Sequence, residues 1–158
     1  MIYVFDTCSF SYLKFYHPNT FPTIWRNLDA LVGQGVIIST KEVWNELQNG
    51  EPIDYVNQWL DQNKQAVFLI PTIKELKFVS KIFKNPHFYQ LIGKKSMLKG
   101  TPVADPFVIA CAAVRSDGKV VTEERYKPNA ARIPNVCKYF NIPYINFQDF
   151  MQEQSWQF

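Results

Sequence analysis

Histidine and cysteine are scarce in this chain, glycine forms no phosphate-binding pattern, and apolar runs are short. Each shortage argues against a class of function. The histidines (His17 and His87) and the cysteines (Cys8, Cys111 and Cys137) are widely spaced and include no Cys-x-x-Cys pair. A structural zinc site or a disulfide framework is therefore not expected, and a reducing, cytoplasmic setting is. The six glycines make neither Gly-x-x-x-x-Gly-Lys nor Gly-x-Gly-x-x-Gly, so neither common phosphate loop is present. The longest unbroken apolar run, residues 107–114, is too short to span a bilayer. No basic segment leads into an apolar stretch at the amino end, where an acid already stands at position 6, so no secretory signal is expected. With 17 basic and 14 acidic residues the net charge is +3, which permits a nucleic-acid partner without requiring one.

What is present suits one domain over residues 1–158. Of these residues 47% are hydrophobic and 16% aromatic, enough for a substantial core. Short β-rich runs alternate with helical stripes, which predicts an α/β fold on a mainly parallel sheet. Strands are expected at residues 2–5, 36–39, 119–122 and 143–146, with a strand or an extended segment at 66–70. The intervening helices include one that Thr40 caps, one opened by Pro52, and one with the capping box Thr72-x-x-Glu75. A small-residue helix carries Val108, Ile109, Ala112 and Ala113. Residues 123–132 read as irregular, 133–140 as helical and 147–152 as a closing helix.

The acids concentrate where chemistry is expected. In open parallel sheets the reactive crevice lies beyond the carboxyl ends of the strands. Asp6 follows the first strand, and Glu123 and Glu124 follow the run Val120-Val121-Thr122. Glu42 and Glu46 share one helical face, and Asp105 sits inside the largely apolar segment Val103 to Ala110. Each has an ordinary structural explanation, though Glu46 less easily, because Val43 and Leu47 put it near the buried side of its helix. Asp6 suits a cap for the helix near Ser9, Glu42 a first-turn charge, and Glu123-Glu124 a solvated turn. Asp105 is either an N-cap ahead of Pro106 or lies within a helix starting at Thr101-Pro102. Converging carboxylates would repel one another unless a cation joined them. Hard oxygen donors with few histidines favour Mg²⁺ or Mn²⁺ over zinc, and a phosphodiester is the natural substrate of such a site.

Four blocks in this order resemble the PIN domain nucleases, including the VapC-type toxins. They are Tyr3-Val4-Phe5-Asp6-Thr7-Cys8-Ser9, Val43-Trp44-Asn45-Glu46-Leu47, Ala104-Asp105-Pro106-Phe107-Val108-Ile109-Ala110 and Val121-Thr122-Glu123-Glu124. The resemblance implies a three-layer α/β/α fold and endonucleolytic cleavage of single-stranded RNA by metal-activated water. It makes Asp6, Glu46, Asp105 and Glu124 the catalytic, metal-binding acids, supported by Thr7, Ser9 and Thr122. The fourth block departs from the family pattern, since glutamate replaces the usual aspartate at 124 and Glu123 is an alternative ligand. Cys8 replaces a common small hydroxyl residue and reads as a buried small hydrophobe.

Basic residues flank these acids: Lys94, Lys95 and Lys99 before Asp105, and Arg125, Lys127 and Arg132 after Glu124. They are the candidates for holding an RNA backbone, with Phe88, Tyr89 and Tyr126 as candidates for stacking on unpaired bases. His17 and His87 read as loop residues. The resemblance further brings in a protein antitoxin and a homodimer as candidate partners; no membrane association is expected. The principal competing reading is a PIN-like RNA-binding or scaffold protein without catalysis. A receiver-type phosphoacceptor domain fits less well, because no lysine follows a late strand in register.

Overall fold

A computed structural model describes residues 1–91 and 103–158. Five strands form one parallel sheet: β1 (Ile2–Phe5), β2 (Ile37–Thr40), β3 (Phe68–Leu69), β4 (Gly118–Val121) and β5 (Tyr144–Ile145). Their order is β3-β2-β1-β4-β5. Helices flank the sheet in a three-layer α/β/α arrangement: α1 (Thr7–Tyr12), α2 (Pro22–Gly33), α3 (Lys41–Gln48), α4 (Asp54–Gln62), α5 (Lys64–Val67), α6 (Ile73–Phe83), α7 (Asp105–Ala113), α8 (Ile133–Tyr139) and α9 (Phe147–Glu153). Among the described residues, no helix is long and apolar enough to cross a membrane.

The central strand explains the apolar opening of the chain. Val4 pairs with Ile38 of β2 and with Val120 of β4, so β1 has neighbours on both edges. Covered on both faces as well, Tyr3, Val4 and Phe5 are all buried. Phe5 meets Phe150 edge to face at 5.1 Å and Phe10 at 5.3 Å, which locks α9 and α1 against the strand. On α2, Ile24, Trp25, Leu28 and Val32 make one buried stripe. Gly35, with φ of 70°, then reverses the chain into β2 in a backbone region few other residues accept.

The local expectations largely coincide with the structure, and the departures have identifiable causes. The first helix begins at Thr7, ahead of Ser9, because Asp6 itself caps it. The helix after Pro52 begins at Asp54, with Ile53 as its cap. Only Phe68–Leu69 of the segment 66–70 is a strand, because the chain is still helical through Val67. Asp105 is neither the N-cap nor interior to its helix. The carbonyl of Ala104 accepts from the N–H of Phe107 and of Val108, so Ala104 is the cap and Asp105 the first helical residue. The capping box at Thr72 and Glu75 forms in both directions. Glu75, almost fully buried, also takes Arg115 at 3.0 Å and ties α6 to the far end of α7.

Candidate active site

The sheet order reverses at β1, whose successor β2 lies on one side while β4 lies on the other. The two chains leaving β1 and β4 diverge there, opening a crevice at the carboxyl ends of the strands. Asp6 leaves β1 at that point and Thr122 leaves β4. Both are buried polar residues, 4% and 1% exposed, which requires that they satisfy each other. The Thr122 hydroxyl donates to Asp6 Oδ2 at 2.7 Å and accepts from the Glu124 N–H at 3.1 Å. Asp6 Oδ1 accepts from the Ser9 N–H at 3.0 Å, which caps α1, and Ser9 Oγ donates to the Val121 carbonyl at 2.8 Å. Strand β1, helix α1 and strand β4 are therefore tied together around one carboxylate.

A second set of bonds continues across the crevice. Thr7, adjacent to Asp6, donates from its hydroxyl to Glu46 Oε2 at 2.5 Å. Glu46 Oε1 accepts from the N–H of Ala104 at 2.8 Å, and Ala104 precedes Asp105. Hydrogen bonds join Glu124 to Thr122 and Thr122 to Asp6, and Glu46 to Thr7 and Ala104; Thr7 adjoins Asp6, and Ala104 adjoins Asp105, in the chain. Residues from four separate regions of the chain thereby meet at the carboxyl ends of β1 and β4.

Electrostatics reflect that proximity. Burial pushes the Asp105 carboxyl up to about 8, and the negative charges of Glu124, Asp6 and Glu46 push in the same direction. Burial also raises Asp6, against the lowering effect of its hydrogen bonds from Cys8, Thr122 and Ser9. Glu124 acts on both aspartates, whereas Glu123 acts on Tyr16. Of the two glutamates, Glu124 is the one whose charge bears on Asp6 and Asp105. Glu123 turns away and accepts the Phe147 N–H at 2.7 Å, at the start of α9. Glu124 keeps a similar duty with one oxygen, taking the Ile133 N–H of α8 at 2.9 Å. Both charges sit at helix N-termini, where the backbone favours them.

Cys8 has a larger part than the sequence suggests. It is half-buried, and its thiol donates to Asp6 at 2.9 Å while its sulfur accepts the Glu123 N–H at 3.2 Å. Burial and the adjacent Asp6 charge raise its pKa well above the usual thiol range, so it acts as a neutral donor to the carboxylate. Its place in the first turn after a strand-end acid is the only signal in the sequence for this role. Glu42 lies in the first turn of α3 as expected, but its Oε2 is buried without a partner among the described residues, and burial raises its pKa.

The donor set suits a hard divalent cation: carboxylates that repel one another, in a crevice that has no histidine in the network. As the side chains lie, no three His, Cys, Asp or Glu residues among those described stand close enough to hold an ion. The reason is visible in the hydrogen bonds, since Glu46 and Glu124 are turned toward backbone amides. The fit is one of chemistry and location, with those two glutamates the side chains that would have to turn.

Of the basic residues, Arg125 and Lys127 are exposed. Arg125 lines a hollow of about 360 Å³ together with Thr122, Glu123 and Glu124. Lys94, Lys95 and Lys99 lie outside the described residues. On the other flank, Thr7 and Glu46 line a cavity of about 170 Å³ with Lys14 and Asn57, a feature absent from the sequence reading.

No curated protein is similar enough in sequence to match the chain. A family model described as a domain of unknown function does match, over residues 3–158, which include every acid of the crevice. The chain therefore belongs to the family DUF4411.

Proposed function

We propose that this protein is a Mg²⁺- or Mn²⁺-dependent endoribonuclease of the PIN type, acting on single-stranded RNA in the cytoplasm. The observation that carries the proposal is the hydrogen-bond network at the switch point of the sheet, in which Asp6 accepts from Thr122, Glu46 accepts from Thr7 and the Ala104 N–H next to Asp105, and the Glu124 N–H donates to Thr122. The order of the four acids in the sequence, which resembles that of PIN nucleases, supports the same assignment. The antitoxin and the homodimer follow from that resemblance alone.

These four carboxylates would hold the cation, whose chemistry is to activate water and to offset charge on the phosphodiester. The residues around them set the terms. Asp6 accepts from Ser9, Cys8 and Thr122, the most hydrogen-bond partners of the four among the described residues. Asp105 has to give up its proton when a cation is taken, so cation affinity should rise as pH approaches about 8. Thr122 is a positioning residue that holds Asp6 and the Glu124 backbone in register. Arg125, exposed and lining the hollow with Glu124, and the exposed Lys127 that follows it would meet phosphates of the RNA backbone.

Incubation of the purified protein with a single-stranded RNA and Mn²⁺ tests the proposal; cleavage is expected, and excess EDTA should stop it. Thr122→Val should reduce the rate roughly 10–100-fold, as loss of a carboxylate's supporting hydrogen bond does elsewhere. Thr122→Ser, which keeps the hydroxyl, should restore most of it. Undiminished cleavage in EDTA would overturn the metal-dependent mechanism.

A second reading, an RNA-binding or scaffold protein without catalysis, is favoured by the engagement of Glu46 and Glu124 with backbone amides. Binding of RNA with no cleavage and no Mn²⁺ uptake would decide for it.

A further inference from the structure

Two exposed tyrosines share one hollow next to the loop that follows Glu124. Tyr126 is 44% exposed and Tyr139 is 62% exposed. Tyr126 follows Glu124 and Arg125 and borders two hollows at once. One is the Glu123–Glu124 hollow already described. The other, about 320 Å³, is lined by His87, Asn129, Lys138 and Tyr139.

Both rings are held by the scaffold. Tyr139 packs edge-on against Phe88 at 5.2 Å and Phe140 at 4.9 Å, which fixes it while leaving most of the side chain in solvent. Lys138 places its ammonium 4.6 Å from the centre of the Tyr126 ring. Asn135 on α8 donates from Nδ2 to the Lys127 carbonyl at 2.7 Å, pinning the loop that carries Tyr126 to the helix that carries Tyr139. The loop and helix thus present two aromatic groups interleaved with Arg125 and Lys138, leading away from Glu124.

We propose that Tyr126 and Tyr139 are stacking platforms for successive unpaired nucleobases, forming a single-strand binding track that leads away from the Glu124 side of the crevice. This track rests on the nuclease reading for its direction. Its affinity does not depend on that reading, because stacking and phosphate contacts need no cation. Alternation of aromatic faces with cations is the pattern that holds single strands without demanding a sequence. Every base has a face to stack, while the lysine and arginine meet the phosphates between. A base pair hides those faces, so duplexes should be held poorly.

The test is fluorescence anisotropy with a short labelled oligoadenylate in EDTA, where cleavage cannot deplete the probe. Tyr126→Ala and Tyr139→Ala should each weaken binding by about tenfold, the usual loss when one stacked base is released. Tyr126→Phe and Tyr139→Phe should bind like wild type, because the ring and not the hydroxyl is used. The track is overturned if both alanine variants keep wild-type affinity, if the phenylalanine variants are as weak as the alanine ones, or if duplex RNA binds equally well. RNA cleavage with Mn²⁺ is measured in parallel on the same proteins. Cleavage by wild type with unchanged binding in the alanine variants removes the track and leaves the nuclease. Loss of binding in those variants without wild-type cleavage removes the nuclease and leaves the track.

Discussion

Asp105→Asn is expected to abolish metal-dependent RNA cleavage, by on the order of a thousandfold, while making the cation-free protein more stable near pH 7. The two effects share one cause. In the absence of a cation, Asp105 is crowded by burial and by Glu124, Asp6 and Glu46, which hold its pKa at about 8 against an ordinary 3.8. An unfolded chain ionises this group at low pH, whereas the folded one resists. Below the unfolded value both states are protonated and nothing is lost. From about 4 to about 8 the unfolded state alone releases the proton, so folding stability falls as pH rises, by about 1.4 kcal/mol per unit at most. Above the folded value the loss is complete and constant. Asparagine carries no charge to bury, so it should recover about 1–3 kcal/mol at pH 7 once relaxation and water access are allowed for. Denaturant titrations of both proteins at pH 5 and 7 check this directly. The difference between them should be small at pH 5 and larger at pH 7. A variant less stable than wild type at pH 7 would show that Asp105 is an ordinary structural carboxylate. A merely misfolded variant would lose activity and stability together.

The second large effect is expected far from the crevice. Gly118→Ala should destabilise the fold by about 3 kcal/mol or more. A Cβ at this position would fall 2.2 Å from the carbonyl oxygen of Ala112 and 2.9 Å from its Cα. Those are backbone atoms of α7, which cannot swing aside as a side chain could. Gly118 opens β4, so the clash lies across the short turn between the end of α7 and the strand. The same helix begins with Asp105 and packs on β1, β2 and β4, and pushing out its carboxyl end tilts the whole element. Urea denaturation measures the loss, and a midpoint equal to wild type would mean that α7 is free to shift. Because Asp105 rides on α7, any Gly118→Ala protein that does fold should also cleave RNA more slowly.

Much of the fold is legible in the sequence because local signals and burial agree. Tyr3-Val4-Phe5 reads as a covered strand and is one, and Ile24, Trp25, Leu28 and Val32 read as a helical stripe and pack as one. Thr72 and Glu75 announce a capping box three residues apart, a geometry that depends on nothing distant. Where the outcome depends on pairing with a remote element, the sequence is less informative. Only two residues of the 66–70 segment are a strand, since the preceding helix runs through Val67 and, among the described residues, β3 is an edge paired with β2.

The site divides in the same way. Asp6 and Glu124 are visible as acids at strand ends, and Thr122 as the hydroxyl residue two positions before Glu124. The use of Glu123 and Glu124 as acceptors for the first amides of α9 and α8 is not visible, because those helices begin nine and more residues downstream. Nor can a sequence show that Cys8 turns its thiol onto Asp6 instead of into the apolar core. A small residue in the first turn of a helix suits either orientation, and only the placement of β4 selects between them.

Calorimetric titration of the purified, chelator-treated protein with Mn²⁺ at pH 8 tests most directly whether the gathered acids form a cation site. The expected result is saturable binding accompanied by proton release, which Asp6→Asn and Asp105→Asn both remove while their circular dichroism spectra stay those of wild type. A wild-type protein that takes up no Mn²⁺, or variants that bind it just as tightly, would contradict the assignment.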